Sequence, residues 1–135
     1  MKKTTKNNSG INGTGIDIVE ISRIRDTIKK SGKKFISRVF TKGEIFYCMH
    51  KRFPEIHFAG RFAAKEAIVK AMGVGFWRDG VSWKDLDIVN NSDNKPAFVK
   101  INGNLKRRFK NKKVLISMSH SHNYAVANAI IYSET

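Results

Sequence analysis

Acidic residues are scarce in this chain: 11 Asp and Glu stand against 26 Lys and Arg in 135 residues, a formal charge of +15. Cysteine is rarer still, and the lone Cys48 excludes an intramolecular disulfide, which suits a reducing compartment. It is expected as a half-buried helix thiol with no catalytic part. No apolar run approaches the ~18 residues of a membrane-spanning helix. The opening MKKTTKNNSGING has lysines but no apolar stretch behind them, so export is not expected and a cytoplasmic location is. Hydrophobic residues at 41% and charged residues at 27% exclude the disordered and membrane classes, and the length suits one compact domain with a real core.

The excess of positive charge points to an anionic partner: nucleic acid, anionic lipid, an acidic protein or a polyphosphate ligand. Charge alone does not choose among them. It is clustered, with Lys29, Lys30, Lys33, Lys34 and Arg38 in one segment and Lys106, Arg107, Arg108, Lys110, Lys112 and Lys113 in another. Either run serves as a solvated face or as a cationic docking face.

Residues 1–10 are polar and aperiodic and read as a disordered basic tail, which leaves 11–135 as a single domain. GTGIDIVEI is a strand rich in β-branched residues, with Asp17 on the opposite face from Ile16 and Ile18, the pair expected to be buried. SRIRDTIKKSG spaces Ile21, Ile24 and Ile28 as a helix, with Ser22 as its N-cap and Gly32 as its stop. KFISRVFTKGEIFYCMHK is a second, broken helical pattern. In it Phe35 and Val39 share a face, Thr41 and Glu44 form a capping box, and Ile45, Cys48 and Met49 are the apolar positions that follow. An alanine-rich helix runs from about His57 to Met72 and ends at Gly73 and Gly75. Strands are expected at Leu86–Val89 and Ala97–Ile101 around a polar turn, and again at Val114–Ser119 and Tyr124–Tyr132. Between the pairs lies a short helix with Leu105 and Phe109 facing inward. The class is α+β, with an antiparallel sheet, mostly from the C-terminal half, packed with the long helix.

Three stretches could carry chemistry. On the long helix Glu66 is the only acid among Arg61, Lys65 and Lys70, opposite a row of alanines at 59, 63, 67 and 71. Glu66 and Lys70 fit a surface ion pair. They also fit a polyanion site in which the carboxylate grips a metal and the bases grip phosphate. The small residues allow something to approach the helix backbone closely. A hard cation such as Mg²⁺ is held by one or two carboxylates plus phosphate oxygens, and Asp17 is the natural second ligand, because a strand-borne Asp needs a partner. A cap on the following helix is its alternative role. In SMSHSHNYA, His120 and His122 would share a face if the strand continued, but no Cys cluster or third His accompanies them, so zinc is not expected. A single His at a strand end serves as a general base, as a phosphate ligand, or as neither.

Taken together, GTGIDIVEISRI (13–24), FAGRFAAKEAIVKAMGVG (58–75) and ISMSHSHNYAVANAII (116–131) resemble the holo-acyl-carrier-protein synthase family of 4′-phosphopantetheinyl transferases. FISRVFT with Glu44, and NKPAFV, also look like family segments. The resemblance implies the family's α+β fold and Mg²⁺-dependent transfer of 4′-phosphopantetheine from coenzyme A to a serine of apo acyl carrier protein, for fatty acid biosynthesis. It implies that Asp17 and Glu66 are the Mg²⁺ ligands, that Lys70 contacts the coenzyme A pyrophosphate and that Arg61 lies near the phosphates. His120 falls at the family histidine beside coenzyme A, a candidate for proton handling. Arg23 falls at the arginine that meets an acidic residue of the carrier. The serine proton is left to Glu66, His120 or a metal-bound water. His122 receives no role. A homotrimer with sites between subunits is implied as well. Neither nucleic-acid nor membrane binding is expected: the bases are not interleaved with exposed aromatics.

Overall fold

The computed structural model of the chain describes residues 10–76, 78–90 and 97–134. The expected tail and the polar turn between the middle strands lie outside them, except that Gly10, assigned to the tail by sequence, is already in a strand and pairs with Ser133.

The main sheet is antiparallel, in the order β1 (Gly10–Glu20), β5 (Tyr124–Ser133), β4 (Lys112–His120). The C-terminal strands are where sequence puts them, to within two residues. What the pattern did not give is that β5 takes the N-terminal strand as its second neighbour, with Asp17 opposite Ala127. A small second sheet pairs β2 (Leu86–Val89) with β3 (Phe98–Ile101).

The facing of β1 is the reverse of the expected one. Ile16 and Ile18 are 65% and 63% exposed, whereas Asp17 and Val19 point inward with Gly13 and Gly15. The reason is the closeness of the long helix α3 (Pro54–Met72), which lies on that side. A Cβ on Gly15 would sit 2.1 Å from the Ala67 carbonyl oxygen, and one on Gly13 2.1 Å from that of Ala71. Only glycine allows a strand backbone this near a helix backbone. The apolar stripe of β1 is therefore left on the outer face. Ala67 and Ala71 are the small residues that admit a close neighbour, and the neighbour is β1. Across the seam α3 also packs on Ala125, Ala127 and Ala129 of β5, so the core there is built from small side chains at short range.

Two helices cover the rest of α3. α1 runs Ile21–Val39 and does not stop at Gly32: the chain bends there (φ 37°, ψ −113°) and resumes as helix. Its N-cap is Glu20, not Ser22, and no side chain caps it. The Ile21 N–H, the first of the helix, donates to the Asn123 carbonyl at 2.9 Å, so the turn before β5 satisfies one of the open N–H groups of α1. α2 (Lys42–Met49) starts at the expected capping box, in which Thr41 Oγ1 accepts from the Glu44 N–H and Glu44 Oε1 accepts from the Thr41 N–H. α3 begins three residues before His57, with Pro54 in the first turn. A short α4 (Gly103–Arg108) buries Leu105, and Phe109 is half-buried behind it. Cys48 is fully buried rather than half-buried.

Candidate active site

Glu44 and Lys65 are both 0% exposed and form an ion pair of 2.7 Å. Lys65 Nζ also donates to the carbonyls of Val39 (2.7 Å) and Trp83 (3.1 Å), and Glu44 Oε2 accepts from the Ile88 N–H at 2.7 Å. The end of α1, the start of α2, the turn at Trp83 and β2 are thereby tied to one point on α3. Lys65, counted with Arg61 and Lys70 as a phosphate base, belongs instead to this buried anchor, on a different face of the helix from Glu66. Burial pulls its ammonium below the usual lysine range, and Glu44 offsets part of that.

With Lys65 set aside, Glu66 and Lys70 on one side and Arg61 on the other anchor two groups along α3. The first is Glu66 and Lys70 with Asp17 of β1. Lys70 Nζ donates to Asp17 Oδ1 at 3.0 Å and to the Ile16 carbonyl at 3.0 Å. The expected Glu66–Lys70 surface pair is thus replaced by a pair to the strand. Asp17 sits in mid-strand and caps nothing, since α1 begins at Ile21. Glu66 is half-buried, and its proton is held more tightly than usual, first by burial and then by the negative charge of Asp17, with Lys70 opposing. A carboxylate whose proton affinity is raised by burial and by a second carboxylate is what a hard cation relieves. Among the described residues no cluster of three or more His, Cys, Asp or Glu could hold a metal. The pair fits a cation that takes its other ligands from water and phosphate, as Mg²⁺ does.

The second group lies about 7.5 Å further along the helix axis toward its N-terminus. Arg61 is 3% exposed, stacks over the Tyr47 ring at 4.1 Å and donates from Nη2 to Asn90 Oδ1. Its Nε is buried with no hydrogen-bond partner among the described residues. Arg61 lines a cavity of about 170 Å³ with Tyr47, His57, Asn90 and His120, so α3 and the end of β4 meet there. A guanidinium that lines a cavity is a ready anion ligand. His57 was missed by sequence. Burial depresses its proton affinity, and Arg61, Lys51 and His120 depress it further. A histidine in the first turn of a helix gives no local signal, and only the β4 end, brought there by the sheet, shows its setting.

The other expected residues are spread more widely. Arg23 is exposed on α1 and lines neither group; its carbonyl accepts from the Thr27 hydroxyl at 2.8 Å. β4 ends at His120, so His122 does not share its face; it sits in the turn and lines a different hollow, with Glu20 and Arg25.

A paired-carboxylate seam beside a cationic cavity, on an α+β scaffold, defines a protein that handles anionic phosphate groups. The model of the 4′-phosphopantetheinyl transferase superfamily matches residues 13–129, and the chain belongs to that family. A holo-(acyl-carrier-protein) synthase of Protochlamydia amoebophila is 52% identical over 118 residues, 87% of this chain and 95% of the relative. One of Thermodesulfovibrio yellowstonii is 45% identical over 121 residues, 90% and 98% of the two chains. Among solved structures, the synthase of Neisseria meningitidis superposes with a TM-score of 0.83 at 30% identity, covering 92% of this chain and 100% of its own. That of Bacillus anthracis, in complex with CoA (3′,5′-ADP), gives 0.77 at 32% identity, with 92% and 98% covered.

Proposed function

We propose that this protein transfers 4′-phosphopantetheine from coenzyme A to a serine of apo acyl carrier protein, releasing adenosine 3′,5′-bisphosphate, in fatty acid biosynthesis in the cytoplasm. The observation that carries the reading is the meeting of Asp17, Glu66 and Lys70 at the β1–α3 seam. The serine oxygen forms a bond to the β-phosphorus of the pyrophosphate, the bond from that phosphorus to the bridging oxygen breaks, and the bisphosphate leaves with the electron pair. Such a reaction is accelerated chiefly by placing positive charge where the phosphate oxygens become more negative. Asp17 and Glu66 would hold Mg²⁺, which when bound supplies part of that charge. Lys70 supplies more from the chain itself, against the pyrophosphate. Arg61 and His120 hold coenzyme A at the neighbouring cavity, which both line. The serine proton goes to one acceptor, for which Glu66 and His120 are the two candidate side chains and a metal-bound water is the third choice.

α1 is the docking surface for the carrier, with Arg23 meeting an acid on it and Arg25, Lys29 and Lys30 beside it, all exposed. The working unit is a homotrimer. Ile16, Ile18 and Leu115 are exposed apolar residues on the outer face of a three-stranded sheet, a face that a second copy could cover.

The test is to incubate the protein with coenzyme A, Mg²⁺ and an apo carrier and to weigh the carrier. A gain of the phosphopantetheine mass, abolished in Glu66→Ala, is expected; a carrier of unchanged mass overturns the reading.

A further inference from the structure

Between Asp93 and Glu134 the chain contains no acidic residue, while Lys100, Lys106, Arg107, Arg108, Lys110, Lys112 and Lys113 fall in that span. The basic ends of α4 and β4 border a groove of about 450 Å³ that also touches β3. None of the residues given above to the metal, coenzyme A or carrier lines it. Its volume is in the range of small-molecule sites, ~300–1,000 Å³.

The groove has two kinds of wall. Phe98, Phe109 and Val114 give an apolar floor, and Lys106, Lys110 and Lys113 stand exposed along it. The fourth lysine there, Lys112, is committed: its ammonium donates to Ser133 Oγ at 2.9 Å and to Asn12 Oδ1 at 3.2 Å. The other three have no such partner among the described residues, whose ion pairs are formed by Lys65, Lys70 and Arg78. Lys106 is accounted for in part by the negative end of the α4 dipole. Lys110 and Lys113 lie beyond the helix and are not.

Unpaired ammonium groups call for an anion, and a small free anion would leave the floor unused. A nucleic-acid strand would want a series of exposed ring faces, and only Phe98 of the floor aromatics is exposed. A membrane surface would meet a protrusion, not a groove. We propose that this groove binds a free single-chain anionic amphiphile, an alkyl carboxylate or alkyl phosphate, with its head on Lys106, Lys110 and Lys113 and its chain along Phe98, Phe109 and Val114.

The test is calorimetric titration of the full chain with octyl, decyl and dodecyl phosphate, each below its micelle concentration. Affinity is expected to rise about fourfold per methylene buried. Lys106→Glu/Lys110→Glu/Lys113→Glu should weaken it at least about tenfold, as loss of charge-assisted contacts does. Lys29→Glu/Lys30→Glu, which removes similar charge elsewhere, should leave it unchanged. Unaltered circular dichroism and coenzyme A affinity check that the triple variant is folded; if it is not, Phe98→Asp, at an exposed strand position, must reduce the chain-length dependence. The proposal is overturned by affinity independent of chain length, by inorganic phosphate binding equally well, by equal loss in both charge variants, or by binding only to anionic vesicles.

Discussion

At Glu66, stability and chemistry pull in opposite directions. Burial and the Asp17 charge raise its proton affinity above the ordinary value of 4.5. The folded protein therefore holds the proton more tightly than the unfolded chain does. Ionising Glu66 costs folding stability, a cost that grows as pH rises from 4.5 through the raised value and is complete above it. Glu66→Gln is accordingly expected to raise Tm at neutral pH without metal, while abolishing transfer. In the unaltered protein Mg²⁺ affinity, read by calorimetry, should weaken as pH is lowered through the raised Glu66 value, where protonation competes with the metal. A lower Tm for the glutamine variant, with Mg²⁺ absent, would contradict the assigned strain. Asp17 shows how the sequence can lead to the right residue by a wrong route. Alternation put it opposite Ile16 and Ile18, correctly, but the rule that isoleucine is buried chose the wrong face. GTG was the unread signal, since two glycines in a strand mark close backbone approach.

Among the elements, α3 is held by the Glu44–Lys65 pair more than by any other polar contact. Glu44 was legible as a capping residue because its partner Thr41 is three positions away. Its second partner was not, because nothing local distinguishes a buried lysine from one of the helix's exposed bases. Lys65→Met leaves Glu44 buried without its countercharge, and such a loss costs about 3–5 kcal/mol. Urea unfolding should show that decrease in ΔG with an unchanged m-value. A loss below about 1 kcal/mol would mean that Glu44 reaches water and that α3 is fixed by its alanine packing alone. Cys48, packed nearby, has its thiol pushed up to about 12 by burial, so alkylating reagents should report only on unfolded protein.

For the molecule as a whole, composition was informative about the partner and uninformative about assembly. The outer-face isoleucines read as core in the sequence, and the sheet turns them into a surface that another copy can cover. Ile18→Asp, which puts a charge in the middle of that patch, is expected to reduce the mass seen by light scattering to that of one chain; an unchanged mass would remove the sheet face from the interface. The field of a +15 chain acts at longer range. If exposed Arg23, Arg25, Lys29 and Lys30 steer an acidic carrier, kcat/KM for the carrier should fall steeply as salt is raised. Electrostatic steering lies mostly in the association rate. KM for coenzyme A should change less, because Arg61 is buried and its contacts are screened less than exposed ones. At ~0.5 M salt the Debye length is only a few ångströms, so steering should be nearly lost. A kcat/KM for the carrier that stays flat over that range would remove α1 as an electrostatic docking surface and leave its basic residues as solvated charge.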